Sequence, residues 1–102
     1  MAKKAPKKTV KEPQICIVTV TGKDKVGIIA QLSVAMAENN INIVDVNQKI
    51  MENYFVMTMA CDMAEATVTI NEINEKLRLI GKEMDLQITF QHENIFKAMH
   101  RV

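Results

Sequence analysis

Apolar positions change period repeatedly along this chain, and each change marks an element. Residues 15–21 read Ile-Cys-Ile-Val-Thr-Val-Thr, a β-branched run that predicts a strand. Ile28, Ile29, Leu32, Ala35 and Met36 then recur at helical spacing, predicting a helix over about 27–39 with Asn39-Asn40 as a left-handed stop. Residues 42–51 and 54–61 predict two more strands around a compact Glu52-Asn53 turn. In the latter, Phe55, Met57, Met59 and Cys61 share one side, with Tyr54, Val56, Thr58 and Ala60 on the other. Thr69-Ile70-Asn71-Glu72 has capping-box spacing, and Ile70, Ile73, Leu77 and Ile80 follow on one helical face. Gly81 falls near the end of that helix, where its cost of ~1 kcal/mol is tolerable or loosens the last turn. Leu86, Ile88 and Phe90 alternate as a fourth strand, and Ile95, Phe96, Met99 and Val102 predict a short terminal helix.

The order β-α-β-β-α-β predicts an α+β, ferredoxin-like fold: a four-stranded antiparallel sheet with helices on one face, plus the terminal helix. Cys16, Val18, Val20, Phe55, Met57, Met59, Leu86, Ile88 and Phe90 are expected to face the helices. The opposite face, with Ile17, Thr19, Val56, Thr58, Ala60 and Thr89, is too apolar for a free monomer and calls for a dimer or partner contact. Met36, Met57 and Met59 fall at core positions, so the methionines read as gap-filling side chains rather than ligands.

Charge divides the chain in two. Residues 1–13 carry five lysines against Glu12, leaving a net acidic body in a 102-residue chain of overall charge +1. That segment holds too little apolar surface to offset its ordering entropy and is expected to be a disordered basic tail ahead of one domain at 14–102. No stretch has the make-up of an export signal or a membrane span, so cytoplasmic location follows by default. Cys16 and Cys61 lie in strands without CxxC spacing and are expected to be reduced and partly buried.

The most informative stretch is Gly22-Lys23-Asp24-Lys25-Val26-Gly27-Ile28, a strand running through a charged loop into a helix. Together with Asn42-Ile43 opening the next strand, the hairpin into Tyr54-Phe55 and the ending Gln91-His92-Glu93-Asn94-Ile95-Phe96-Lys97-Ala98-Met99-His100-Arg101, it resembles an ACT domain. The ending is similar to stand-alone bacterial and archaeal ACT-domain proteins without an assigned activity. The resemblance spans about residues 14–102. It implies association, commonly as a dimer, and a small ligand, often an amino acid, held between the first β-α loop of one subunit and a strand of its neighbour. Val26 stands where the wider family often has proline.

The expected ligand-binding residues are Asp24, Val26, Gly27, Ile28, Asn42 and Ile43. Backbone N–H groups around Val26, Gly27 and Ile28 suit a carboxylate at a helix N-terminus, and Gly27 lets a ligand approach or simply fits a β-α turn. Asp24 is read first as a helix cap and second as an acceptor for a ligand ammonium. Asn42 offers a donor and acceptors to a ligand, or serves the turn that leaves the helix. Ideal alternation puts Asp45 and Asn47 on the side of Ile43, with Gln48 opposite, and solvation at an edge is favoured over a dimer seam for that pair. His92 and His100 lie outside metal-ligand spacing, and neither a metal nor a cofactor is expected.

Four readings of function compete. A non-enzymatic, amino-acid-binding regulatory dimer acting on a protein partner leads; the runner-up is a structural or protein-interaction dimer with no small ligand. An RNA-binding module fits the element order and the basic tail, yet the first strand lacks the stacking aromatics such domains use. An enzyme finds no catalytic set and no phosphate-binding glycine loop among three glycines.

Overall fold

The computed structural model describes residues 12–99. Its elements follow in the order β1 (Ile15–Lys23), α1 (Ile28–Glu38), β2 (Asn42–Met51), β3 (Tyr54–Asp62), α2 (Ile70–Met84), β4 (Leu86–His92) and α3 (Glu93–Met99). The four strands make one antiparallel sheet in the order β2-β3-β1-β4, the ferredoxin-like arrangement. Residues 1–11 of the expected tail, and His100 and Val102 of the expected terminal helix, lie outside the described residues.

Alternation decides which side of the sheet becomes the core. Cys16, Val18 and Val20 pair with Cys61, Met59 and Met57, and all six are buried beneath Ile28, Leu32 and Met36 of α1 and Ile73 and Leu77 of α2. Phe90 joins them, while Leu86 and Ile88 pack against the cluster half-buried. On the other side Ile17, Thr19, Val56, Thr58 and Ala60 are half-buried and Thr89 is exposed. The terminal helix folds back there, with Gln91 Nε2 donating to Met99 Sδ at 3.1 Å.

Both long helices end at a left-handed residue, Asn40 after α1 and Asp85 after α2. Asn40 takes the left-handed conformation expected of the α1 stop, at φ 56°. Asn39 beside it is buried: Nδ2 donates to the Ala35 carbonyl at 2.6 Å, and Oδ1 accepts from Lys76 Nζ at 3.3 Å. α2 runs past Gly81 to Met84, so the glycine is no terminator. It sits where β4 crosses closely, and a Cβ there would meet the Leu86 carbonyl oxygen at 2.8 Å. The two cysteines are fully buried rather than partly so, and both are free thiols.

Candidate functional site

The charged loop after β1 is tied on two sides. The Asp24 N–H donates to the Asn53 carbonyl at the tip of the β2-β3 hairpin, at 2.8 Å. Lys25 Nζ donates to the Met84 carbonyl, placing a cation at the C-terminal end of α2. Between these ties and the helix, Val26 is 99% exposed. Gly27 then turns the chain at φ 95°, ψ 0°, and its carbonyl accepts the Gln31 N–H at 3.0 Å. A Cβ on Gly27 would meet nothing within 4 Å, so the backbone angle, not crowding, calls for glycine.

The two long helices begin differently. Thr69 caps α2 in a reciprocal box: its Oγ1 accepts from the Glu72 N–H at 3.1 Å and Glu72 Oε1 accepts from the Thr69 N–H at 2.9 Å. At α1 the cap position is Gly27, with no side-chain cap and no acidic residue in the first turn. Asp24 therefore does not cap α1 as expected; the three residues to Gly27 carry the chain around the left-handed turn instead. The first-turn N–H groups have no partner within the helix. Ile28 offers only its backbone there, since its side chain is in the core.

Asn42 and Ile43 stand at the far end of the same chain. Asn42 pairs with Asp62, the partner of Ile15, whereas the Gly27 loop adjoins the end where Lys23 pairs with Tyr54. Eight residues of β3 separate those ends, ~27 Å at ordinary strand rise. One chain thus holds the two sets of expected residues apart. Beside Asn42 an open groove of about 420 Å³ is lined by Ala37, Asn40, Ile41, Asn42 and Glu65, and Asn40 Nδ2 donates to the Glu65 carbonyl at 2.8 Å. This groove adjoins the carbonyl end of α1, the negative pole of that helix. Another groove, about 320 Å³, runs outside α1 between Ala30, Val34, Glu38 and Ile80, away from Gly27.

β2 does not alternate cleanly. A bulge between Ile43 and Asp45 shifts the register, so Ile43 pairs with Cys61 on the helix side while Asp45 and Asn47 pair with Ala60 and Thr58 on the open side. The expectation that Asp45 and Asn47 share the side of Ile43 is thereby corrected. Val46, Gln48 and Ile50 pair with Met59, Met57 and Phe55, on the helix side, yet remain exposed at the sheet edge. His92 Nδ1 accepts from the Asn94 N–H at 3.0 Å, a structural contact at the start of α3. Among the described residues no three His, Cys, Asp or Glu side chains are grouped to hold a metal ion. No helix there is long and apolar enough to cross a membrane.

Asp62 and the carbonyl partners of the loop lie outside the sequence reading, which has Asn39 only as a helix stop and not as a buried side chain bonded to Ala35 and Lys76. Asp62 Oδ1 accepts from the Gln14 N–H at 2.9 Å and the Ala64 N–H at 3.0 Å, which together hold its carboxyl below the ordinary range. An aspartate closing a strand is the only sequence signal for that clamp, and the Met84 carbonyl carries no signal at all.

Comparison with known proteins agrees with this architecture. A family model of the ACT domain matches residues 14–91. A UPF0237 protein of Listeria innocua is 48% identical over 84% of this chain and 97% of its own length. A UPF0237 protein of Methanocaldococcus jannaschii is 44% identical over 84% and 96%. Among solved structures, an ACT domain protein from Streptococcus pneumoniae superposes with a TM-score of 0.72 at 30% identity, covering 87% of this chain and all of that one.

Proposed function

Because the chain belongs to the ACT domain family, a family of regulatory domains, we propose that it is a non-enzymatic module binding a small amino acid across a dimer seam. The observation that carries this reading is the separation of Gly27 from Asn42 at opposite ends of one chain. A twofold axis that pairs the β2 edge with its copy runs the two strands antiparallel, so the Gly27 end of one chain meets the Asn42 end of the other. Support for that edge comes from β2 itself: ten residues long, with Val46 47% and Ile50 49% exposed. A long edge with apolar side chains is a ready template for strand pairing.

The poles of the seam suit a zwitterion. Val26, Gly27 and Ile28 present backbone N–H groups and the positive end of α1 to a carboxylate, flanked by Lys23 and Lys25. The partner's Asn42, with Glu65 and the carbonyl end of its α1, offers acceptors to an ammonium. Asp24 adds a carboxylate near the loop, and Ile43 supplies apolar contact on the helix side. Ligand occupancy then favours the paired state, by which the module acts on a regulated protein partner.

A thermal-melt panel of the purified chain against the common amino acids and several nucleotides tests this. A ligand at a hundred times its dissociation constant should add ~2.7 kcal/mol, a shift of several degrees. The shift should be confined to one chemical class of amino acid and should vanish in both Gly27→Ala and Asn42→Ala. Unchanged shifts in both variants would remove the site, and a flat panel would assign the chain to dimerisation or protein interaction without a small ligand.

A further inference from the structure

Cys16 and Cys61 stand outside the ligand seat, and the fold sets them opposite each other. They are register partners on the two central strands, and both are fully buried. One step outward, past the Ile15 and Asp62 pair, Met63 donates its N–H to the Gln14 carbonyl at 2.8 Å. Hydrogen-bonded pairs recur every second residue of an antiparallel ladder, so Cys16 and Cys61 are such a pair, with Cα atoms ~5.5 Å apart. That spacing lies inside the disulfide range, whereas Cβ atoms ~5 Å apart must close by about 1 Å. A bridge here is attainable but strained, the kind that thiols reduce readily.

We propose that Cys16 and Cys61 form a reversible redox latch, bridged by a low-molecular-weight disulfide when the start of β1 opens and released again by thiols. One cysteine thiolate attacks the oxidant's S–S bond, forming a mixed disulfide and expelling one small thiolate. The second cysteine attacks the protein sulfur of that mixed disulfide and expels the other. Two cysteine thiols are oxidised to one disulfide, the oxidant is reduced to two thiols, and the two protons leave with them.

The closed core keeps the pair silent. Burial, and then neighbouring Cys16, push the Cys61 thiol up to about 12, while burial and then Glu93 raise Cys16. The thiolate is the nucleophile, so reaction waits for local opening. Opening is local because Cys16 is the second residue of β1, behind the clamp of Gln14 on Asp62. Closing the latch also acts sideways: Cys61 is the register partner of Ile43, and Cys16 that of His92. A bridge therefore draws on the ends of β2 and β4 together, independently of any ligand at Gly27.

The test incubates the full chain with oxidised glutathione across a urea series below the unfolding midpoint, traps free thiols by alkylation and maps the products by mass. The expected product has lost two hydrogens at a Cys16–Cys61 link, forms faster as urea rises, and reverts in millimolar reduced glutathione. Cys16→Ser and Cys61→Ser should each leave only a glutathione adduct on the remaining thiol. Glutathione adducts or interchain links in place of the bridge, even after full unfolding and refolding in oxidant, would overturn the latch. A bridge that forms at the same rate without urea would overturn the gating, and one that survives reduced glutathione would overturn its reversibility.

Discussion

Single residues in this fold act mostly through the backbone groups they hold. Asp62 is the clearest case, since one carboxylate oxygen receives both the Gln14 N–H and the Ala64 N–H and so pins the entry of β1 to the exit of β3. Those bonds favour the charged form, and the folded value lies below the ordinary 3.8. A lowered folded value means that the stabilisation is fully present above the unfolded value and is lost as pH falls through the folded one. Asp62→Asn keeps an acceptor without the charge. Its melting temperature should lie below the native chain's at neutral pH, and the gap should close below about pH 4. Melting curves from pH 2 to 7 check this, and a gap constant over that range would contradict it.

At the scale of elements, the two long helices begin in different ways, and the proposed site depends on that difference. α2 closes its own N-terminus with Thr69 and Glu72, so Thr69→Ala should cost ~1 kcal/mol in denaturant unfolding without altering any ligand response. α1 closes nothing with side chains, and under the proposed reading its open turn receives the ligand's carboxylate. Most of this was legible in the sequence, because periods of two and of three to four residues and a Thr-x-x-Glu spacing are local signals. β2 shows where legibility ends: the bulge at Ile43/Asp45 reverses which side Asp45 and Asn47 face, and its cause is pairing with β3, not composition. Asn39 likewise reads as a stop residue, yet its burial and its bond to Lys76 exist only once α2 has docked. Asp24 reads as a cap because aspartate is favoured near a helix start, a local signal that does not reveal that Gly27 turns the chain first.

For the molecule as a whole, the exposed helix side of β2 is the surface on which the proposed dimer rests. Ile50→Lys, on that edge and paired with Phe55 of β3, should lower association in sedimentation equilibrium while leaving the folded spectrum intact. An unchanged mass would move the interface elsewhere. The distance between Gly27 and Asn42 has a genetic consequence as well. A seat shared between two chains obeys the logic of complementation: Gly27→Ala and Asn42→Ala chains, each unresponsive alone, regain a sound seat when co-refolded. Each mixed dimer carries one seat built from two native halves and one built from two altered halves. Random assortment then restores about a quarter of all seats. Were both halves supplied by the same chain, mixing would restore none.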